Sequence, residues 1–445
     1  MITNILTAAS ARCLSASARF FSATRRGTQM ATHAAAALVL TLFGSCAIEP
    51  PLHLHEDIDV PLPLIDLELR TLWDYDLYYN GERYDWESYW LYGWDEEDTQ
   101  RFGKIGYREP NIFNIRRYYN GWRKGVAHSS VLADQVEGTL FTGEYNFGFY
   151  DLLVFNEVEE TDGAQNIHID EHDLDNTIAF TNQTMHSTPH HSPKYSNSVN
   201  QPEGLFAVYQ RDIEIPDPAQ DYVAHGFHWD NVRNRWVKTL TATLEPVVYI
   251  YLTQIILVNN HGRVAGVDGS ADLSGMAHDV NLNTRINGID PVSVYYGVRM
   301  KDYNHYHLTY TGPTTGDLIT YVSDNPVSEL VNEPVDIIGG KVMTFGMCSL
   351  DPASFPSRVG YAESVKRIEE LDPAHHYVDV NLVFNNGINK TCSFDVTNQV
   401  RRLYKGGVLT IIVDVDKIYT TNGNGAGFDA EIVPMDSVVV PDIPL

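Results

Sequence analysis

From Trp236 to Val258 the chain reads Trp-Val-Lys-Thr-Leu-Thr-Ala-Thr-Leu-Glu-Pro-Val-Val-Tyr-Ile-Tyr-Leu-Thr-Gln-Ile-Ile-Leu-Val. In its first half Val237, Thr239, Thr241 and Thr243 alternate with their neighbours, the two-residue period of a strand. After Glu245-Pro246 the texture changes. Val247 to Val258 is apolar at both odd and even positions. A strand with two apolar faces is a strand covered on both sides, as in the middle of a sandwich.

Working outward, the same signals recur. Leu67, Leu69, Thr71 and Trp73 alternate, as do Tyr145, Phe147 and Phe149 before Asp151–Phe155. Leu205–Ile215, Val292–Met300, Leu318–Val322, Lys341–Met347 and Val408–Val415 read as further strands. Tyr377–Val400 predicts a hairpin. Val378, Val380, Leu382 and Phe384 face one way and Asp379 and Asn381 the other, with Asn385-Asn386-Gly387 as the turn. Asn156–Asn176 and Thr181–Gln201 read as polar loops. Helical spacing is confined to Tyr361–Leu371 and to Trp86, Trp90 and Trp94, which allow a turn or two. Many short strands with little helix predict an all-β chain of β-sandwiches. Pro216-Asp217-Pro218 starts a break, which places an N-terminal domain at 64–235 and a C-terminal domain at 236–445.

The 445 residues carry 31 Lys and Arg against 58 Asp and Glu, a net charge of −27. That balance opposes phosphate backbones, so no nucleic-acid partner is expected. The first 45 residues hold no acid but do hold Arg12, Arg19, Arg25 and Arg26. A short apolar run, Ala34–Phe43, follows and then Gly44-Ser45-Cys46. Basic region, short apolar stretch and small residues make a secretory signal at 1–45, with Met30 as a second candidate start. The Cys after Gly-Ser looks like a bacterial lipoprotein signal, with Cys46 as the lipidated residue. Residues 46–63 read as a Pro-rich tether.

Chemistry-bearing motifs are few. There is no His-Glu-x-x-His, Gly-x-Ser-x-Gly or phosphate-cradling loop, so no catalytic residue, cofactor or metal is assigned. His168, Asp170 and His172 would share a face of a strand, but their flanks read as a solvated acidic loop. Four Cys are too few for a disulfide scaffold. Cys348 and Cys392 are either a pair or two buried thiols. Nine Tyr and Trp residues fall between Tyr75 and Trp94, among many acids. Trp86, Trp90 and Trp94 there have two readings: a packed core, or a face that stacks on sugar rings.

The order of several segments resembles the Bacteroidetes-type fimbrillin-like lipoproteins of unknown function. In the first half these are Tyr107-Arg-Glu-Pro-Asn111, Asn114-Ile-Arg-Arg-Tyr118, Gly143-Glu-Tyr-Asn-Phe147, Asp151-Leu-Leu-Val-Phe-Asn156 and Asn200-Gln-Pro-Glu-Gly-Leu-Phe206. In the second they are Leu244-Glu-Pro246, Leu273-Ser-Gly-Met-Ala277, Phe394-Asp-Val-Thr397, Gly427-Phe-Asp429 and Pro441-Asp-Ile-Pro-Leu445. The resemblance implies two tandem Greek-key β-sandwiches of the transthyretin-like kind on an outer-membrane lipid anchor at the cell surface. It implies no enzyme activity. It also implies partnership with fimbrial (pilus) subunits by strand exchange, for which the β-branched tail Val438–Ile443 is a candidate. A surface polysaccharide is the alternative partner.

Overall fold

The computed structural model describes residues 61–79, 82–124, 128, 130–158, 165–173, 176–183, 197–301, 336–349 and 374–419. The signal segment, Cys46, the tether up to residue 60, Leu318–Val322, Tyr361–Leu371 and the tail Val438–Ile443 lie outside them. Those described residues that follow Leu62 belong to one compact unit. No helix among them is long and apolar enough to cross a membrane.

The strands in chain order are β1 (Leu64–Thr71), β2 (Leu77–Tyr79), β3 (Glu82–Tyr84), β4 (Ile112–Tyr119), β5 (Ser130–Glu137), β6 (Leu140–Glu144) and β7 (Gly148–Asn156). Next come β8 (Ile167–Asp173), β9 (Asn176–Thr181), β10 (Ser198–Asn200), β11 (Phe206–Ile215), β12 (His228–Asp230), β13 (Arg235–Pro246) and β14 (Tyr249–Val258). The last are β15 (Val264–Ala277), β16 (Asp279–Asn281), β17 (Pro291–Lys301), β18 (Asp336–Thr344), β19 (Tyr377–Phe384), β20 (Asn389–Asp395) and β21 (Gly407–Asp414). Short helices occupy Trp86–Tyr89, Glu96–Phe102, Thr397–Arg402 and Val415–Ile418.

The protein is mostly β-strand, with two large mixed sheets. The first runs β5-β4-β7-β11-β13-β1-β6, with β12 on β13. Its two end strands are consecutive in the chain. The turn between them is held from both sides: Leu69 donates its N–H to Thr139 O at 2.8 Å and Gly138 donates to Asn111 O at 2.8 Å. The sheet therefore curls until its ends approach. The second sheet runs β20-β19-β15-β17-β18-β14-β21, with β10 on β17. Parallel pairs sit in both sheets, β1 on β13 and β14 on β21.

The stretch Trp236–Val258 crosses between them. β13 closes the first sheet and β14 enters the second, so the passage falls at Val247-Val248. The Pro216–Pro218 break lies between β11 and β12, both of the first sheet. β14 is buried along its whole length. Ile250, Leu252, Ile256 and Val258 join one cluster with Leu67, Leu69, Phe113, Ile115, Leu152, Val154 and Leu244 of the first sheet. Tyr249, Tyr251, Ile255 and Leu257 point the other way, into a cluster with β15, β17 and β19. Two apolar faces thus serve two cores at once, which is why neither parity carries charge.

Two local expectations change, and a third, the hairpin, holds. The polar stretch 156–176, read as loop, contains β8, which pairs with β9 and through it β16. The 181–201 stretch contains β10, laid parallel on β17. In the hairpin, the turn and the apolar face are as expected, with Gly387 at φ +79. The opposite face is buried as well, at Asp379 and Asn381. Asp379 stands in register with Asp272 and accepts from Ser274 Oγ at 3.0 Å.

Candidate functional site

The aromatic segment between β1 and β4 is the filler between the two sheets. Gln254, in the middle of β14, anchors it: its Oε1 accepts the N–H of Leu91 at 2.8 Å and of Tyr92 at 3.2 Å. Its Nε2 donates to Tyr89 O and to Thr410 Oγ1, each at 2.8 Å. Tyr75 and Tyr107 donate their hydroxyls to the carbonyls of Ile250 and Val248 at 2.9 and 2.7 Å. The backbone of an irregular segment can be buried only when its polar groups find such partners.

This decides the tryptophans. Trp90 is buried, and Trp86 and Trp94 are half-buried against the same clusters. Trp86 Nε1 donates to Tyr75 O and Trp94 Nε1 to Gly103 O, both at 3.1 Å. The core reading of the three residues thus accounts for their packing and for the indole N–H groups of Trp86 and Trp94. The helical spacing also breaks, since helix Trp86–Tyr89 ends before Trp90.

Beyond Trp94 an ion cluster clamps the segment to β17. Asp95 and Asp98 form a capping box at the start of helix Glu96–Phe102. Asp98 is fully buried; Arg299 Nε lies 2.9 Å from its Oδ1 and Lys301 Nζ 2.7 Å from its Oδ2. Tyr92 donates its hydroxyl to Asp98 Oδ1 at 2.7 Å. Arg299 also pairs with Asp95 and Glu97. Burial alone would raise the Asp95 carboxyl, but the Asp98 N–H, Lys301 and Arg299 outweigh it and hold it well below the usual carboxylate range. Two glycines let the aromatic rings this close to the strands. A Cβ on Gly339 would collide with the Tyr92 ring, and one on Gly297 with the Phe102 ring.

Next to the clamp the chain from Phe102 to Ile112 bridges a cleft of about 850 Å³. That volume suits a small oligosaccharide or a drug-sized ligand. β17 and β18 contribute Tyr295, Lys341 and Met343, and the segments 156–158 and 200–204 close the far side. Its carboxylates are already engaged. Glu203 accepts the N–H groups of Asn166 and Ile167 at 2.8 and 3.1 Å, and Glu157 accepts Gln135 Nε2. Its cations are exposed Lys104 and Arg108 of the bridging segment and Lys341 of β18.

Lys341 is the unusual member. It is buried, and its ammonium donates to the backbone oxygen of Lys104. Among the described residues no carboxylate pairs with it; the nearby charge is that of Arg108. Burial first, and then Arg108, push it down to about 8.

Cys46 lies outside the described residues. Cys348 and Cys392 are buried reduced thiols in different clusters and are not joined. His168 lies on β8 against the Phe180 ring, 5.7 Å between centroids, and Glu171 pairs with Arg116 at 2.5 Å. Among the described residues no group of three His, Cys, Asp or Glu side chains is placed to hold a metal. Asp151 gathers His128 at 3.0 Å, the Tyr209 hydroxyl at 3.0 Å and the N–H of Asp212 at 2.8 Å. Its carboxylate fixes the β-bulge of β11 there. Lys341 was not singled out by sequence reading. The signal was present in Ile337-Ile338-Gly339-Gly340-Lys341-Val342, a lysine inside an otherwise apolar strand.

No protein-family model matches the chain, and no curated protein matches it. Solved structures with some likeness include a candidate adhesin from Bacteroides ovatus, 14% identical with a TM-score of 0.43 over 80% of this chain and 94% of that one. A candidate polysaccharide-binding protein from Bacteroides thetaiotaomicron is 9% identical with a TM-score of 0.36 over 79% and 91% of the two chains. A fimbrial anchor protein from Porphyromonas gingivalis is 7% identical with a TM-score of 0.32 over 79% and 90%. All three scores lie below 0.5, so no function is assigned from them.

Proposed function

We propose that this is a lipid-anchored protein of the outer membrane surface that acts by binding and assembly, not catalysis, as a fimbrial anchor or accessory subunit. The observation that carries the reading is the order of parts in the chain. A basic, apolar and small-residue leader ends at Gly44-Ser45-Cys46, a Pro-rich tether follows, and a compact β unit starts at once with β1. Diacylglycerol on the Cys46 thiol and an acyl chain on its amine give the multiple-chain attachment that stable anchoring needs. The two sheets are read as Greek-key sandwiches of the transthyretin-like kind, and fimbrial subunits as partners by strand exchange. The test is Cys46→Ala. It should turn the protein soluble and abolish palmitate labelling; unchanged membrane partitioning overturns the anchor. Deleting 437–445 then asks whether a pilin still co-purifies; a folded deletion that keeps its pilin rules the tail out as the exchanged strand.

A second reading, capture of a surface polysaccharide, is favoured by the cleft beside Lys341. It moves the expected sugar site from Trp86, Trp90 and Trp94 to that cleft. Half-buried Tyr295 and the amides of Asn111, Asn200 and Gln201 line it, a mix of one ring face and several amides that suits a pyranose.

A further inference from the structure

We infer that the cleft between the 102–112 segment and β17–β18 binds an acidic saccharide, with the carboxylate of a hexuronate ring received by Lys341 and Arg108. The inference rests on the polysaccharide reading and does not use the lipid anchor.

Three observations converge. The first is Lys341 itself. A buried ammonium without a counter-ion is expensive, and buried lysines are normally paired. One strand away, Lys301 is equally buried and has Asp98 at 2.7 Å and Asp95 at 3.2 Å. The segment packed on the sheet thus supplies carboxylates to Lys301, while to Lys341 it supplies only the Lys104 carbonyl. The second is the distribution of charge in a chain of net −27. Lys104 and Arg108 of the bridging segment and Lys341 of β18 bring three cations to the cleft, and the two acids among its described lining residues, Glu157 and Glu203, are bonded to Gln135 and to backbone N–H groups. The third is the rest of the lining. Side-chain amides and the half-buried Tyr295 ring offer hydroxyl partners and a flat apolar face. A bare inorganic anion would leave most of a cavity of about 850 Å³ unfilled. A charged ammonium aimed at a ligand carboxylate is a strong, charge-assisted hydrogen bond in such a place.

The experiment is isothermal titration of the whole chain with trigalacturonate, its methyl ester and a neutral glucose trisaccharide, and with a short poly-glutamate peptide. Wild type should bind trigalacturonate and lose roughly 10- to 100-fold on esterification, the worth of one charged hydrogen bond. Lys341→Met and Arg108→Ala should each weaken trigalacturonate by a similar factor and leave the ester unaffected. Arg108 is exposed, so its variant tests the site even if Lys341→Met disturbs the segment tied to Lys341. Equal binding of acid and ester, or binding indifferent to both variants, overturns the inference while leaving polysaccharide capture standing. Binding of the peptide but of no saccharide overturns both. No binding of any probe by the wild-type protein also overturns both.

Discussion

Two lysines in neighbouring strands of one sheet meet opposite surroundings. Lys301 on β17 is enclosed by Asp95, Asp98 and the Tyr92 ring, whose centroid is 3.8 Å from its Nζ. Lys341 on β18 has a backbone carbonyl and a neighbouring cation. Both are buried by the same aromatic segment, so burial alone does not distinguish them. Their counter-charge does. A paired charge fixes how the segment docks. An unpaired one opposes folding and is compensated only when something negative arrives.

Removing the shared carboxylate should break the contrast most severely. Asp98→Ala leaves Arg299 and Lys301 without their central partner and should cost about 3–5 kcal/mol, read as a lower denaturant midpoint. An unchanged midpoint would mean the clamp is not what holds helix Glu96–Phe102. Asp272 is a second buried ionisable group to set beside Lys341, and it faces a like charge. Burial, and then the facing Asp379, push it up to about 7. Its favourable contribution is complete below about pH 4, the unfolded value, and is lost as pH rises through about 7. The stability of wild type relative to Asp272→Asn should therefore fall by about 1–3 kcal/mol between pH 4 and 7. A flat difference across that window would show that the pair is not strained.

Lys341→Met should invert the sign of the Asp98 result. Exchanging a buried, depressed ammonium for an apolar side chain of similar length should stabilise the unliganded protein at pH 7 by about 1–2 kcal/mol. A clear loss of stability would instead make Lys341 a structural tie for Lys104 alone. The smallest effect is expected at the rim of the clamp. Glu97 is about half exposed, and Glu97→Gln should change stability by no more than about 1 kcal/mol, less in high salt.

How much of this was readable follows from where each signal lies. β14 was legible because both parities of Val247–Val258 are apolar, and the 377–395 hairpin because alternation and Asn-Asn-Gly coincide. β8 was not, because His168, Asp170, Glu171 and His172 hide the pattern. Among the described side chains of β8 only Ile167 is wholly buried, with Thr177 and Ala179 on its partner strand, and the strand is specified by the neighbour it pairs with. The aromatic segment's role depended on Gln254, which lies more than 150 residues along the chain. The cleft has no sequence signature at all. It is assembled from 102–112, 156–158, 200–204 and two strands of another sheet, and only the lysine set among apolar residues and glycines in β18 marks it.

The closure of the first sheet carries a consequence in time. β1 is flanked by β6 and by β13, and Leu64 stands opposite Val237 in a parallel pair. Parallel, long-range pairings form slowly because loop entropy must be overcome before any ladder bond is made. The first strand cannot be enclosed until β13, more than 160 residues further along the chain, has arrived. Until then its partner edge and the apolar faces of Leu67 and Leu69 stay open. The second sheet repeats the delay, since β14 receives β21 only at Gly407. The chain is thus bound to mature from its distal ends inward, with its earliest strand among the last to be enclosed, and its most aggregation-prone interval is set by topology.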